Sequence, residues 1–166
     1  MDLLIRTATP ADAAGVVAIL NPIIETGRYT TFVAPFTVAE ERAFIENLPE
    51  QAIFHLAEKT TDKRLVGFQT LAPFSSYTPA FDHVGVMGTF VALSQRRQGI
   101  ATRLFAATFA EARHQGYEKI FTYIRADNLA ALATYMAHGF RVIGTAQKQA
   151  KINGRYVDEF LVECFL

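Results

Sequence analysis

The chain has 166 residues, of which 51% are hydrophobic and 19% are charged, a composition typical of a globular domain. Lysine and arginine together number 16, as do aspartate and glutamate, and the resulting net charge of zero argues against nucleic acid as a partner. The one cysteine, Cys164, excludes a disulfide within the chain and a thiolate metal site, and it predicts a reducing compartment such as the cytoplasm.

The apolar runs predict no membrane partner. The longest, Ala13–Leu20, is interrupted by Gly15 and is far shorter than a bilayer span. The first apolar stretch, Leu3–Ile5, is too short for a signal peptide and follows an acidic residue, so a cytoplasmic location is expected.

Cap residues and hydrophobic periodicity predict four helices. Thr9 precedes Pro10 in the order usual at a helix start, and Thr37 matches a capping box with Glu40. Gly116 follows a segment in which apolar residues recur at helical spacing, as expected of a C-terminal cap. The predicted helices cover residues 9–20, 37–48, 99–114 and 128–138, and residues 21–35 are predicted to be a loop with possible helix.

Runs rich in aromatic and β-branched residues predict seven strands, at residues 3–6, 52–58, 65–72, 84–91, 120–124, 140–145 and 156–166. Asn153 and Gly154 form a strong hairpin signal before the last of them. Gly85 and Gly88 lie inside the fourth strand, where glycine indicates a bulge or a close backbone approach. Because helices and strands are mixed along the chain, we expect an α/β layer fold with a partly antiparallel sheet.

A basic turn between a strand and a helix carries the clearest chemical signal. The fourth strand ends near Val91, Arg96 and Arg97 follow, and a helix begins at Gly99. The first N–H groups of a helix have no intrahelical partner and lie at the positive end of its dipole, so they favour an anion such as phosphate. Gly99 permits close backbone approach, and Ala101 keeps the surface open.

A second motif follows one strand later. Arg96, Gly99 and Ala101 match the acyl-CoA motif of the GNAT superfamily of N-acetyltransferases, which is Arg or Gln, two residues, Gly, one residue, and Gly or Ala. The second signature of that superfamily is matched by Asn128, Ala131, Tyr135, Gly139 and Phe140. Both motifs occur in the expected order and at the expected separation, so the sequence resembles this superfamily.

Two shorter segments, Asn21–Thr26 and Gly154–Asp158, resemble the phosphinothricin acetyltransferase branch. The resemblance implies a single acyl-CoA N-acyltransferase domain over residues 1–166. It implies an α/β (α+β) fold, with a mixed, mostly antiparallel sheet of about seven strands splayed at strands 4 and 5 and flanked by about four helices. The terminal hairpin lies at dimer contacts in this branch, so a homodimer is expected.

The resemblance implies acetyl-CoA as the acetyl donor and no metal. The pyrophosphate would rest on backbone amides of the basic turn, and the pantetheine arm would pair with the fourth strand where it splays at a bulge. A backbone N–H near Val91 would then face the thioester oxygen, where one such donor contributes about 3 kcal/mol. The residues expected to bind the cofactor are Phe90, Val91, Leu93, Arg96, Arg97, Gln98, Gly99, Ile100, Ala101, Thr102, Asn128 and Tyr135.

Tyr135 matches the general acid of the family, which protonates the departing thiolate. Phenols and thiols have similar pKa values, so this proton transfer is nearly balanced. The alternative is a core tyrosine whose hydroxyl takes any available partner. Asn128 also has a purely structural interpretation, because asparagine is a preferred N-cap. The two roles are compatible, since Asn128 can both cap the helix and contact the cofactor.

The sequence leaves the general base and the acceptor site open. A free amine is protonated at neutral pH and must lose a proton before it attacks. The phosphinothricin branch usually carries a glutamate on the fourth strand, whereas this strand has no carboxylate after Asp82. The candidates are Asp82, Glu25, a chain of waters, and His83, since histidine exchanges protons near neutral pH. The aromatic residues that can line the acceptor pocket are Phe32, Phe36, Phe74, Tyr77 and Phe81.

These residues leave three functions open. The first is an acetyl-CoA-dependent N-acetyltransferase that acts on the primary amine of a small amino-acid-like molecule by direct attack in a ternary complex. The second is acetylation of a protein or peptide N-terminus. The third is a non-catalytic acyl-CoA-binding regulatory module, which the missing carboxylate favours and Tyr135 opposes. The four histidines show no metal-ligand spacing, and the sequence has no Gly-x-Ser-x-Gly motif of a serine hydrolase.

Overall fold

Seven strands and four α-helices form the computed structural model, which describes residues 2–166. The strands are β1 (Leu3–Thr7), β2 (Ile53–Lys59), β3 (Leu65–Pro73), β4 (Val84–Val91), β5 (Lys119–Arg125), β6 (Arg141–Ile152) and β7 (Arg155–Phe165). The α-helices are α1 (Ala13–Glu25), α2 (Val38–Glu46), α3 (Ile100–His114) and α4 (Leu129–Ala137). Short 3-10 turns lie at Pro10–Asp12, Pro79–Phe81 and Leu93–Gln95.

The strands form one sheet in the order β1-β2-β3-β4-β5-β7-β6. Neighbouring strands run antiparallel except β4 and β5, which run parallel. This parallel pair requires a crossover connection, which α3 supplies. The mixed, mostly antiparallel sheet with four helices is the predicted fold, and the structure confirms it.

The parallel pair β4–β5 separates after three residue pairs, the last of which joins Val86 to Phe121. Beyond that point β4 continues to Val91 and β5 continues to Arg125 without pairing to each other. Where the pairing ends, the Thr122 hydroxyl donates a hydrogen bond of 2.6 Å to the backbone carbonyl of Met87. The predicted splay is thus present, and it leaves a wedge-shaped cleft in the sheet.

The register of β4 with β3 is continuous through the splayed region, from Gly67 opposite Val91 to Pro73 opposite Gly85. The splay therefore arises without a register shift between β3 and β4. Gly85 serves close packing instead, because a Cβ at this position would meet the Leu71 side chain at 2.7 Å. Of the two explanations for a glycine in this strand, close approach is the one that the structure supports at Gly85.

Helices cover both faces of the sheet. On one face, α3 and α4 enclose a core that includes Phe105, Ile120 and Tyr135. On the other face, α1 and α2 pack against Phe54 and Phe68. The cleft between β4 and β5 therefore opens between two packed layers, and residues from both layers can reach it. Among residues 2–166, no helix is long and apolar enough to cross a membrane.

Two elements extend further than the sequence predicts. Helix α1 continues past Pro22 to Glu25, and the burial of Ile23 and Ile24 against the sheet favours this extension. Strand β6 continues to Ile152 rather than ending at Thr145, although most of its residues are exposed. It pairs with β7 alone, at the edge of the sheet, so a polar sequence without clear alternation is compatible with it.

Candidate active site

A cavity of about 760 Å³ occupies the cleft between β4 and β5. This volume lies within the range of small-molecule sites. Its walls come from the segment after α1, the ends of β4 and β5, the basic turn, α4 and β7. The lining includes Tyr29, Thr30, Phe32, Met87, Gly88, Thr89, Phe90, Val91, Arg96, Arg97, Gly99, Ile100, Ala101, Thr102, Tyr123, Arg125, Asn128, Ala131, Tyr135, His138 and Glu159.

One wall of the cleft is the open edge of β4. The Ala92 N–H donates to the Val66 carbonyl on β3, so the groups of Ala92 face β3. Because direction alternates along an antiparallel pair, the N–H groups of Thr89 and Val91 face away from β3. Consistently, the Met87 carbonyl on that side accepts from Thr122 on β5. Beyond the splay, Thr89 and Val91 thus present backbone N–H groups to the cleft.

The basic turn has the backbone form of an anion site. Arg97 and Gly99 adopt left-handed conformations, with φ of 61° and 76°. Gly99 is the N-cap of α3, and no side chain caps that end of the helix. A Cβ on Gly99 would meet nothing within 4 Å, so the space beside this backbone is open. The turn therefore offers unpaired N–H groups, the positive end of a long helix and room for phosphate.

Tyr135 projects from α4 into the junction between cavity and core. Its side chain is buried, and its hydroxyl lies 2.9 Å from the Thr89 hydroxyl. Burial raises the pKa of Tyr135 to about 12, while the hydrogen bond with Thr89 opposes this rise. Tyr135 therefore holds its proton at neutral pH, which a general acid requires.

Thr89 links Tyr135 to a buried amide that the sequence did not single out. The Gln69 side chain donates to the Thr89 hydroxyl at 2.8 Å, across the β3–β4 pair. Since Thr89 accepts this bond, its own hydroxyl proton is free to point at the Tyr135 oxygen. This arrangement would stabilise a tyrosinate when Tyr135 gives up its proton.

The segment after α1, residues 27–36, lines the cleft with Tyr29, Thr30, Thr31 and Phe32, and three side chains hold it in place. Asn128 accepts from the Ala131 N–H, which confirms its predicted role as N-cap of α4, and it donates to the Tyr29 carbonyl at 3.3 Å. The Arg96 guanidinium stacks over the Tyr29 ring, 3.9 Å from its centroid. Arg125 donates to the Thr30 carbonyl at 3.0 Å. These contacts join the segment to the basic turn and to the end of β5.

Glu159 on β7 is a cavity residue that the sequence analysis missed. It is paired in register with Arg125 on β5 and is 9% exposed. Burial raises the pKa of Glu159, and the nearby charge of Arg125 opposes this rise. No described group donates a hydrogen bond to its carboxylate. In the sequence, Glu159 is an acidic residue in a terminal strand with alternating polarity. Acidic residues are common on the solvent-facing side of such strands, so the sequence does not mark Glu159 as a site residue.

The structure brings most of the predicted cofactor residues to one cavity. The cavity is lined by Phe90, Val91, Asn128, Tyr135 and most of the basic turn. Two predicted residues do not line it: Gln98, which is exposed in the turn, and Leu93, which lies in the 3-10 turn after β4. Of the predicted acceptor residues, Phe32 lines the cavity and stacks with Phe90, with the two ring centroids 6.4 Å apart. The others lie outside its lining: Glu25 at the end of α1, His83 before β4, and Phe74 and Tyr77 in an aromatic cluster with Phe81.

No group of three or more His, Cys, Asp or Glu side chains within residues 2–166 has an arrangement that could hold a metal ion.

A family comparison agrees with this site. Residues 5–161 match the family model of the acetyltransferase (GNAT) domain, and the chain belongs to that family. The comparison with curated proteins finds no match.

Solved structures with the same fold include a ribosomal-protein-alanine N-acetyltransferase from Brucella melitensis, with 27% identity, TM-score 0.90, and coverage of 98% of this chain and 99% of that one. Another is a GNAT phosphinothricin acetyltransferase from Sinorhizobium meliloti, solved in complex with acetyl-CoA. It has 18% identity and TM-score 0.90, and the match covers 100% of this chain and 89% of that one. An N-acetyltransferase from Staphylococcus aureus Mu50 has 24% identity, TM-score 0.89 and 99% coverage of both chains. The phosphinothricin-like resemblance is thus supported at the level of the fold.

Proposed function

We propose that the protein transfers an acetyl group from acetyl-CoA to the primary amine of a small amino-acid-like molecule, by direct attack in a ternary complex. The observation that carries the proposal is the meeting of three features in one cavity: the uncapped start of α3, the open edge of β4 and the buried Tyr135. Membership of the GNAT family and the acetyl-CoA complex of the Sinorhizobium meliloti relative support the same donor.

The residues present fit acetyl-CoA. The left-handed turn with open space beside Gly99 suits a pyrophosphate, which would take the N–H groups of the first turn of α3. Arg96 and Arg97 add two positive charges beside that turn. The cleft-facing edge of β4 suits the amides of a pantetheine arm, which would pair with it as a further strand. When bound, acetyl-CoA supplies an acetyl thioester as the electrophile.

Two groups of the protein would act on the reaction itself. The N–H groups of Val91 and Thr89 face the cleft, and one would donate to the thioester oxygen while the other holds the pantetheine arm. A donor that is already in place stabilises developing negative charge by about 3 kcal/mol. Tyr135 would give its hydroxyl proton to the departing sulfur. Its raised pKa makes that transfer less favourable than for a solvated phenol, but the same burial raises the pKa of the thiol.

The acceptor would reach the cleft beneath the segment after α1, where Phe32 and Phe90 form an apolar wall. A peptide N-terminus is the second candidate acceptor, supported by the activity named for the Brucella melitensis relative. The neutral net charge offers no general attraction for basic protein targets. A small molecule is therefore the acceptor that we favour.

The acceptor class is tested by acetyl-CoA-dependent thiol release with a panel of phosphinothricin, methionine sulfoximine, the standard amino acids, polyamines and short peptides. We expect release with small amines and little with peptides. A blank without acceptor corrects for the thiol of Cys164. Release with peptides alone would favour the N-terminal acetyltransferase, and binding of acetyl-CoA with no release would favour the non-catalytic module.

We further propose a cytoplasmic homodimer. The long edge strand β6 leaves Val142 and Ile143 exposed, at 42% and 46%, and Tyr156 on β7 is 58% exposed. An exposed apolar strand edge favours pairing with another chain. Light scattering of the purified protein is expected to give twice the chain mass of 18.4 kDa, and a monomeric mass at micromolar concentration would contradict this prediction.

A further inference from the structure

The acceptor side of the cleft contains a carboxylate that the proposed mechanism has not yet used. Glu159 lines the cavity, is only 9% exposed, and faces the same side of the sheet as its cross-strand partner Arg125. No described group donates a hydrogen bond to its carboxylate, and the carboxylate oxygens remain open to the cleft, so they are available to a group that enters the cavity.

Arg125 does not supply the missing pairing, because four of its five N–H groups donate to other partners and none donates to Glu159. Its Nε and Nη2 atoms donate to the two carboxylate oxygens of Asp127, at 2.9 and 2.7 Å. Its Nη1 atom donates to the carbonyl oxygens of Gly27 and Thr30. Arg125 is therefore a structural residue that holds the segment after α1, and Glu159 lies beside its charge without a hydrogen bond to it.

The other glutamate on this face of β7 shows the contrast. Glu163 lies four residues further along the same strand, where Arg141 and Lys119 both bind its carboxylate. These contacts lower the pKa of Glu163, whereas burial raises that of Glu159. Glu163 does not line the cavity. One glutamate is thus satisfied within the protein, and the other is left facing the cleft.

We infer that Glu159 binds the ammonium group of the acceptor and is the base that removes its proton. The inference rests on the proposed function and identifies the acceptor as a cationic primary amine. The apolar wall of Phe32 and Phe90, together with Tyr123, suits an amine that carries an apolar or aromatic body.

The ammonium gives one proton to the Glu159 carboxylate, which leaves a lone pair on the amine nitrogen. That lone pair forms the C–N bond to the acetyl carbon, the C–S bond breaks, and the sulfur takes the proton of Tyr135. The second proton lost by the nitrogen passes to solvent, from which Tyr135 is reprotonated, and Glu159 releases its own proton to solvent.

The groups around Glu159 influence how strongly its carboxylate binds a proton. The register partner on β5 is Arg125, whose guanidinium is paired with Asp127, and the register partner on β6 is Ala146, which is uncharged. The raised pKa of Glu159 makes the carboxylate a stronger base than a solvated glutamate. The nearby charge of Arg125 favours the ionised form of the carboxylate, which a base requires, and opposes this rise in its pKa.

The test measures two classes of nucleophile, cationic and neutral, with the wild type, with Glu159→Gln and with the matched control Glu163→Gln. The cationic probes are phenylethylamine, tyramine and isoamylamine, and the neutral probe is hydroxylamine, which is unprotonated at pH 7.5. We expect Glu159→Gln to lower kcat/KM for the cationic amines by about 10²–10⁴-fold. Enzyme-dependent turnover of hydroxylamine, corrected for its uncatalysed reaction with the thioester, should fall far less, because its nitrogen carries no ammonium proton to remove. The Kd of acetyl-CoA by calorimetry should stay unchanged. Glu163→Gln should leave kcat/KM for the cationic amines, hydroxylamine turnover and this Kd unchanged.

A stability measurement separates the catalytic role from a structural one. Because burial raises the pKa of Glu159, the folded state binds its proton more tightly than the unfolded chain does. Ionised Glu159 therefore destabilises the fold above the ordinary glutamate pKa of about 4.3, increasingly so as the pH rises through the folded-state pKa. We expect Glu159→Gln to raise Tm at pH 7 and to match the wild type at pH 4. A lower Tm at pH 7 would assign Glu159 a structural role and overturn the inference.

Equal kcat/KM for the cationic amines in wild type and Glu159→Gln would overturn the inference. So would a wild type that binds acetyl-CoA and acetylates hydroxylamine but none of the cationic probes. A wild type that fails to bind acetyl-CoA, or that binds it and acetylates none of the probes, would overturn the proposed function itself, and the inference with it.

Discussion

Replacing Tyr135 with phenylalanine is expected to lower kcat by about 10²–10⁴-fold at neutral pH, the contribution typical of a positioned general acid. The ring contacts of Tyr135 with Phe105 and Phe140 do not need the hydroxyl, so the fold should be retained. The lost hydrogen bond with Thr89 should cost about 1 kcal/mol of stability. The Kd of acetyl-CoA, measured by calorimetry, should stay unchanged.

The matched control for this substitution is Tyr117→Phe. Tyr117 is also a buried tyrosine with one hydrogen bond, which its hydroxyl donates to the Gln51 carbonyl at 2.9 Å, and it lies outside the cavity. We expect this variant to lose a similar amount of stability and no activity. Equal kcat for wild type and Tyr135→Phe would show that the hydroxyl of Tyr135 is not the acid.

Replacing Gly99 with glutamate is expected to abolish binding of acetyl-CoA. The new carboxylate would lie beside the turn that receives the pyrophosphate, and two like charges 4 Å apart repel by about 4 kcal/mol at an effective dielectric of 20. That energy corresponds to a loss of affinity of about 10³-fold. The measurement is calorimetric titration of acetyl-CoA into the variant, with circular dichroism to confirm the fold.

Backbone strain has to be separated from the charge effect, because Gly99 has a φ of 76°. Gly116, at the other end of α3, has a φ of 89° and is equally free of neighbours within 4 Å. Gly116→Glu therefore introduces the same side chain and similar strain far from the turn. We expect it to lose stability but to bind acetyl-CoA normally. Similar affinity of both variants for acetyl-CoA would contradict an anion site at Gly99.

Local signals allowed much of the fold and of the cofactor side to be predicted. The capping box at Thr37 forms, with the Glu40 N–H donating to the Thr37 hydroxyl at 3.2 Å. The motif that contains Tyr135 places this residue on α4 against the end of the cleft. Such features depend on a few consecutive residues, and sequence spacing reports them directly.

The acceptor side was harder to predict because it depends on distant contacts. Glu159 lies beside Arg125 only because β7 inserts between β5 and β6 in the sheet, an arrangement that no local pattern shows. The segment after α1 is positioned by Arg96, Arg125 and Asn128, which lie far from it in sequence. Phe74, in contrast, belongs to a cluster outside the cavity, and aromatic content alone could not distinguish it from Phe32.

The most direct test of acetyl transfer in this cleft is to quantify both products of one reaction. The protein is incubated with acetyl-CoA and phenylethylamine, and free CoA and acetylated amine are measured together by mass spectrometry. We expect the two products in equal amounts, and neither when the amine or the protein is omitted. Release of CoA without acetylated amine, or formation of neither product across the cationic amines, would contradict the account.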